Sequence, residues 1–183
     1  MKKLMQIALG SMLLISYSSF AKNQAGIYLS ATDYSNKKLA YADGAKIHLN
    51  NSVWEMPYIT VNDKGKKVKL DKKNIYAYVN DQKEVVRIYN GGEYLLAEDG
   101  QIQIYIQTSH VAKSKGFNVI KSYYFSKSAE SEILSLTKEN LKKAYSTNTA
   151  FLALLGDPGL DLSGYNDTLH TYQLNYLFSQ SKK

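Results

Sequence analysis

Cysteine is missing from the sequence altogether. This absence excludes disulfide bonds, a cysteine nucleophile, cysteine-ligated zinc or iron, and a lipid anchor attached to a cysteine. Without disulfides, the fold must depend on apolar packing and hydrogen bonding. Proline and tryptophan are scarce, with Pro57, Pro158 and Trp54 as the only members of their types. No segment rich in proline, glycine or serine divides the chain, and we expect one domain.

Arginine is nearly absent, because Arg87 is the only one among 23 basic residues. Lysine supplies the remaining positive charge, and it lacks the planar fork with which arginine binds phosphate and guanine. The formal net charge of +7 includes Lys2 and Lys3 at the start of the chain. This modest, lysine-based excess argues against a nucleic-acid partner.

Histidine is also rare. The three histidines, His48, His110 and His170, have no spacing that would place two imidazoles on one helical face for a metal. Ser109 or Ser163 could join a histidine in a catalytic triad. However, Ser163 lacks the glycine two residues before it that a nucleophile elbow requires.

Acidic residues give no clearer active site. The acidic loop over residues 157–167 lacks the ligand spacing of a calcium site. Carboxylate pairs for glycoside hydrolysis could be chosen from Glu55, Glu93, Glu98 and Asp99, but the sequence defines no separation between them. We therefore predict no catalytic residues, no metal and no cofactor.

The first 21 residues have the order of a signal peptide. Two lysines precede an uncharged stretch over residues 4–20, and the segment ends in Ala21. Polar residues interrupt the apolar part, which falls short of the roughly 20 continuous apolar residues of a spanning helix. We predict cleavage between Ala21 and Lys22, which leaves 162 of the 183 residues. The mature protein would be periplasmic or secreted, without a membrane span.

The predicted fold class is α+β, with an antiparallel β-meander followed by helices in one domain over residues 22–183. Between residues 58 and 107, short β-type runs alternate with breaks that contain Asn, Asp or Gly, which is typical of adjacent hairpins. In residues 101–107, isoleucines alternate with polar or tyrosine side chains, which predicts one buried face and one wet face. Further runs at residues 26–30, 38–42, 46–49 and 118–125 bring the expected total to about seven to nine strands.

Two or three helices are predicted in the C-terminal part, residues 129–180. One begins around Glu130 and continues or restarts after Thr137, a favourable N-cap, and another covers Thr149–Leu155. The last covers residues 166–179. Its predicted apolar face consists of Leu169, Tyr172, Tyr176 and Leu177.

Tyrosine is abundant, with 16 residues, and it combines an aromatic ring with a polar hydroxyl. The alternation over residues 75–79 and 101–107 predicts a partly exposed tyrosine strip on the second face of the sheet. A tryptophan ring could in addition stack on a sugar. The expected ligand-binding residues are Tyr76, Tyr78, Tyr105 and Trp54.

A lysine-rich hairpin is predicted around the turn at residues 62–65. Its basic residues are Lys64, Lys66, Lys67, Lys69, Lys72 and Lys73. A solvated hairpin whose lysines discourage edge-to-edge pairing explains this pattern. Contact with an acidic envelope polymer is the alternative.

Three segments resemble a group of uncharacterised exported proteins of Bacteroidota-type bacteria. They are Gly26–Leu29 with Asp33 and Tyr34, Ile75–Tyr78, and Leu136–Ala144. The resemblance extends over most of the mature chain. It implies an exported location and carries no catalytic residue with it.

These features predict an exported, non-enzymatic envelope or secreted protein. It would bind an envelope protein or a polysaccharide through the tyrosine-bearing sheet face or the lysine-rich hairpin. Two alternatives stay open. The chain could be a carbohydrate-binding module, or a hydrolase of envelope polymers that uses carboxylates or His110.

Overall fold

The computed structural model describes residues 25–42, 46–48, 56–114 and 116–182. The predicted signal peptide and Trp54 lie outside the described residues. Within them, no helix combines the length and apolar character needed to cross a lipid bilayer. The predicted fold class is confirmed: an antiparallel meander forms a large sheet, and most helices follow it.

Seven strands form the large antiparallel sheet, in the order β1-β5-β6-β7-β8-β9-β10. From β5 onwards, neighbours in the sheet are also neighbours along the chain, as in a meander. The strands are β1 (Gly26–Tyr28), β5 (Ala77–Val79), β6 (Val85–Tyr89), β7 (Gly92–Asp99), β8 (Gln103–Ala112), β9 (Phe117–Ser126) and β10 (Leu134–Ser135).

A smaller sheet contains three strands, β2 (Lys46–His48), β3 (Tyr58–Asp63) and β4 (Lys66–Asp71), in sequential order. The turn between β3 and β4 has two residues, Lys64 and Gly65, with φ of +49° and +83°. Left-handed conformations at both positions match the twist of a tight hairpin. A 3₁₀ turn, Lys72–Asn74, then leads into β5.

The described residues contain four short helices: α1 (Ala31–Ser35), α2 (Lys138–Ala144), α3 (Thr149–Leu154) and α4 (Gln173–Gln180). Side-chain caps fix the first residue of three of them. Ser30 accepts from the Asp33 amide before α1. Thr137, the predicted N-cap, accepts from the Asn140 amide before α2. Asn148 caps α3 in the same way.

The C-terminal part departs from the prediction in two places. Residues 130–136 form no helix, because Leu134 and Ser135 extend the sheet by pairing with β9. The last helix is shorter than expected, since β11 (Tyr165–Asn166) and β12 (Thr171–Tyr172) form a small hairpin before it. Leu169 is consequently exposed rather than part of an apolar helix face.

The N-terminal part also differs. The expected strand over residues 38–42 is reduced to one bridge between Ala40 and Ile27. Helix α1 was not predicted, and its five residues are too few for a helical period to be recognised. Tyr34 is its buried residue.

One face of the large sheet, here called the apolar face, carries two core clusters, and a third cluster of Tyr28, Tyr34, Ala77 and Val79 lies on the opposite face. At the β1–β6 end, Ile27, Val86 and Ile88 pack against the small sheet through residues such as Ile59 and Val61. At the other end, buried side chains of the sheet and the helices form a second cluster. It consists of Ile102, Ile104, Phe125, Leu141, Tyr145, Phe151, Leu155, Tyr172 and Leu174.

Candidate functional site

The opposite side of the large sheet, here called the polar face, has a different character. Strand pairing places Arg87 of β6, Gln103 and Tyr105 of β8, and Ser126 of β9 on this face. All four residues are buried. Buried polar groups are costly unless they are hydrogen-bonded, so this face requires a connected network.

Arg87 lies at one end of that network, with 5% of its surface exposed. Its guanidinium donates to Tyr105 Oη at 3.0 Å, to Ser126 Oγ at 3.2 Å and to the Ser131 carbonyl oxygen at 2.6 Å. All three acceptors are neutral. These bonds come from two separate terminal nitrogens, Nη1 and Nη2, which the single ammonium nitrogen of lysine could not reproduce.

Aromatic rings surround the same guanidinium. Its central carbon lies 5.0 Å from the ring centroid of Tyr76 and 5.5 Å from that of Tyr89. The Nε atom of Arg87 has no hydrogen-bond partner among the described residues. Contact with the ring faces partly compensates for the hydration that the positively charged guanidinium loses on burial.

Asp99 marks the other end of the network. Its carboxylate accepts from Tyr34 Oη at 2.6 Å and from Gln103 Nε2 at 2.8 Å, and Lys37 Nζ lies 3.6 Å away. Tyr105 Oη donates to Gln103 Oε1 at 3.0 Å, which connects this end to Arg87. Burial and the neighbouring Asp99 carboxylate raise the pKa of Tyr34 well above its usual range, so its hydroxyl stays a donor.

The predicted exposed tyrosine strip is wrong for Tyr78 and Tyr105, which are both fully buried. Tyr78 points into the apolar core and donates to Glu93 at 3.0 Å. Tyr76 and Tyr78 do not share a face, because regular pairing in β5 begins only at Ala77 and the alternation is broken there. The fourth predicted residue, Trp54, lies outside the described residues.

The wet face expected for residues 101–107 is likewise wrong at Gln103 and Tyr105. Helix α1 lies against this end of the polar face through Tyr34, which contacts the sheet beside Tyr28 and Ala77. The segment after β9 also contacts it, through Ala129 and the Ser131 carbonyl. These long-range contacts cover residues that a strand pattern alone would leave in water.

Three other tyrosines do lie on the uncovered part of the polar face. Tyr89, Tyr94 and Tyr124 are half-buried, and the rings of Tyr94 and Tyr124 meet edge to face with centroids 5.0 Å apart. Tyr124 Oη donates to Gln107 Oε1 at 3.1 Å. We call these four residues the tyrosine face. It presents ring surfaces, hydroxyls and an amide on a rigid sheet.

The sequence contained a signal for this arrangement. Asn90 and Gly91 form a tight turn with φ of +48° and +80°, which fixes the register of β6 and β7. Arg87 then pairs with Tyr94, and Tyr89 pairs with Gly92. Tyr89 and Tyr94 therefore lie on the same face of the sheet as Arg87. This placement could have been predicted from the Asn90–Gly91 turn and the two-residue period of a strand.

The lysine-rich hairpin is only partly a basic patch. Lys64, Lys66, Lys67 and Lys69 are exposed at or near the β3–β4 turn. Lys72 is instead turned inward, with Nζ 2.9 Å from Glu93. Lys73 pairs with Asp71 at 3.1 Å.

The carboxylates considered for hydrolysis have structural partners. Glu98 accepts from Thr171 Oγ1 at 2.7 Å and from the Tyr172 amide at 2.8 Å, which attaches the C-terminal hairpin to the sheet. Glu93 and Asp99 are bound as described above. Asp99 lines a cleft of about 500 Å³, and its two carboxylate oxygens accept from Tyr34 and from Gln103. Glu55 lies outside the described residues.

The histidines and serines considered for catalysis are dispersed. His110 is exposed on β8, and His170 lies in a turn with φ of +48° rather than in the last helix. Ser163 donates to Asp161 at 2.7 Å within its own loop. In the described part of the chain, no group of three or more potential ligands could hold a metal ion.

Comparisons with protein families, with curated proteins and with solved structures find no match to this chain. The arguments about its function therefore depend on its own residues.

Proposed function

We propose that the protein is an exported, non-enzymatic binding protein of the cell envelope or the extracellular medium, and that it binds a macromolecule on its tyrosine face. The observation that carries this proposal is the group formed by Tyr89, Tyr94, Tyr124 and Gln107 on adjacent strands. Tyrosine suits recognition because a rigid ring gives a large contact area at a small entropic cost.

The network beneath the tyrosine face supports this role. Arg87 and Tyr105 connect strands β6, β8 and the segment after β9 by hydrogen bonds. Rings that stand on such a framework lose little freedom when a partner binds. The Arg87 guanidinium beneath Tyr89 also fixes one ring of the face.

Export is part of the proposal and rests on the order of residues 1–21, which have a basic start, an uncharged apolar stretch and a small residue at the end. Removal of these residues would leave the first described strand, Gly26–Tyr28, intact. A non-enzymatic role is supported by the carboxylates Glu93, Glu98 and Asp99, which hold structural partners.

The lysine-rich hairpin contributes less to the proposal. Lys72 and Lys73 are neutralised by Glu93 and Asp71, so the exposed charge is confined to the residues nearest the turn. The Lys69 ammonium lies 4.7 Å from the ring centroid of Tyr58, on the neighbouring strand of the same small sheet. The hairpin is best explained as a solvated edge that resists pairing with other strands.

The test is in-cell crosslinking with a C-terminally tagged copy in the native host, followed by mass spectrometry of captured partners and of the mature N-terminus. The variant Tyr94→Ser/Tyr124→Ser should lose the dominant crosslinked partner, and it should still unfold in one cooperative thermal transition, at a lower Tm because the edge-to-face pair is lost. The control Tyr165→Ser removes a tyrosine that is half exposed in another part of the fold and should leave capture unchanged. Equal capture by both variants would exclude the tyrosine face, and a retained Met1 would exclude export.

Carbohydrate is a second candidate for the partner, favoured by the amide of Gln107 beside the rings of Tyr94 and Tyr124. Ring faces with an adjacent amide suit a sugar, which has apolar faces and hydroxyl edges. Titration against a glycan panel tests this directly. If Gln107→Ala and Tyr94→Ser each lose binding to the glycan, the sugar binds on the tyrosine face. If the glycan quenches Trp54 fluorescence and still binds both variants, the sugar binds elsewhere.

A further inference from the structure

Strands β8 and β9 continue beyond the large sheet as a two-stranded arm. On β8, the pairing with β7 ends at Ile106. On β9, only Tyr124 and Phe125 pair with β10. From Thr108 to Lys121, the two strands pair with each other, and every side chain described there is exposed. We call residues 108–121 the β-arm. At about 3.3 Å per residue, its five residues per strand project roughly 16 Å.

The β-arm has most of the exposed large apolar side chains found among the described residues. Four of the seven large hydrophobic residues that are exposed in the described part of the chain belong to it. Phe117 is 70% exposed and Val119 is 59% exposed, and Val111 and Ile120 are each 46% exposed. Single exposed apolar residues are ordinary, but a group of four on one projection indicates an interaction site.

These apolar residues occupy both faces of the β-arm. Ala112 pairs with Phe117 on one face, and Ser109 pairs with Ile120 on the other. A flat protein partner would cover only one face of a two-stranded ribbon. A medium that surrounds the tip of the arm can cover both faces, and the boundary region of a lipid bilayer has this property.

The charge of this segment has one sign. Between Asp99 and Glu130, the sequence contains four lysines and no acidic residue. Lys113 and Lys121 are exposed within the β-arm. Near the base of the arm, Glu93 is neutralised by Lys72. A second copy of the chain would bring like charges together, whereas an anionic surface complements them.

Backbone chemistry limits how deeply the β-arm could enter a membrane. Beyond the large sheet, the outer edge of each arm strand has backbone N–H and C=O groups that face water. In hydrocarbon, each unsatisfied group of this kind costs several kcal/mol. Only the side chains near the tip can therefore leave water, and the strands themselves stay at the level of the lipid headgroups.

We propose that the β-arm docks the protein on an anionic lipid bilayer. Phe117 and Val111, the apolar residues nearest the tip, enter the boundary between headgroups and acyl chains from opposite faces of the arm, and Val119 and Ile120 lie above them among the headgroups. Lys113 contacts the lipid phosphates, and Lys121 at the base of the arm adds attraction to the anionic surface. This docking uses none of the residues of the tyrosine face, so the two surfaces can fail independently.

The experiment is co-flotation with vesicles of phosphatidylcholine alone or mixed with phosphatidylglycerol. The protein begins at Lys22, because the apolar segment before it would bind vesicles by itself. We expect binding to the anionic vesicles and at least tenfold weaker binding to the neutral ones. Lys113→Ala/Lys121→Ala should weaken anionic binding about 25-fold, from roughly a fivefold contribution of each lysine.

The apolar contribution is tested by Phe117→Ser/Val119→Ser, which should weaken binding to anionic vesicles by about tenfold or more. Leu169→Ser is the matched control, because Leu169 is half exposed outside the β-arm, and it should bind like the unmodified protein. All these positions are exposed, so the thermal transition should stay unchanged in each variant.

Three results would overturn the proposal. The first is no flotation with anionic vesicles. The second is equal flotation with neutral and anionic vesicles, which would remove the role of the lysines. The third is a dimer in light scattering that Phe117→Ser/Val119→Ser dissociates, without vesicle binding, which would make the arm an interface between two copies of the chain.

Discussion

The contact between helix α4 and the turn after β7 allows a quantitative prediction. Asn175 donates from Nδ2 to the Ile102 carbonyl and accepts the Ile102 amide at Oδ1, both at 2.8 Å. Both residues are buried. Asn175→Ala leaves two buried backbone groups without partners, and each costs about 1–3 kcal/mol, so we expect a loss of about 2–6 kcal/mol. At about 2–4 °C per kcal/mol, Tm should fall by about 4–24 °C.

The same contact can be broken from the other side. A Cβ atom at Gly100 would lie 2.4 Å from Asn175 Nδ2 and 2.9 Å from Asn175 Cγ, so Gly100→Ala must displace the amide. In the Asn175→Ala background this clash is absent, and adding Gly100→Ala should cost little. Gly159→Ala is the control, because its Cβ would meet Asp157 at an ordinary 3.5 Å.

Urea denaturation followed by far-UV circular dichroism measures all four proteins of this double-mutant cycle. We expect a coupling free energy of about 1–3 kcal/mol with unchanged m values. If Gly100→Ala costs the same in both backgrounds, the two residues do not act through one contact and the reasoning is refuted.

Three further predictions concern the polar face and the core. Arg87→Lys loses the fork that satisfies Tyr105, Ser126 and Ser131, and the urea midpoint should report a loss of about 2–4 kcal/mol. Lys72→Met should cost about 1–3 kcal/mol, because its pair with Glu93 is largely buried, whereas Lys73→Met on the exposed pair should leave the urea midpoint unchanged in the same assay. Burial raises the pKa of Tyr145 to about 12. The raised value means that its stabilisation is fully present below pH 10 and is lost as pH rises towards 12. Since Tyr145 Oη has no partner among the described residues, Tyr145→Phe should be neutral or stabilising at pH 7 and should reduce this alkaline loss in urea titrations at pH 8 and 11.

The β-meander could be predicted because its information is local. Turns such as Lys64–Gly65 and Asn90–Gly91 require residues that tolerate left-handed conformations, and they fix the register of the strands beside them. The cap at Thr137 is local in the same sense, because its side chain and the Asn140 amide are three residues apart. Features of this kind are encoded within a few residues.

The remaining elements could not be predicted because they are either short or distant in sequence. The five residues of α1 give no helical period, and β10 consists of two residues that pair with β9. The hydroxyl of the buried Tyr105 is hydrogen-bonded to Arg87 and Ser126, which lie 18 and 21 residues away in the chain. A pattern that alternates along one strand contains no information about what covers its second face.

The order of strands in the large sheet also has a kinetic consequence. Strands β5 to β10 pair with their neighbours in sequence, but β1 pairs with a strand about 50 residues away, through Ile27 and Tyr78. Contacts between distant residues form late, because closing a long loop costs entropy before any pairing compensates for it. Truncation of Ile27 should therefore accelerate unfolding and leave the folding rate almost unchanged. Until β1 docks, the free edge of β5 is open to strands of other chains, so the rate of this last step limits the time during which the folding protein can aggregate.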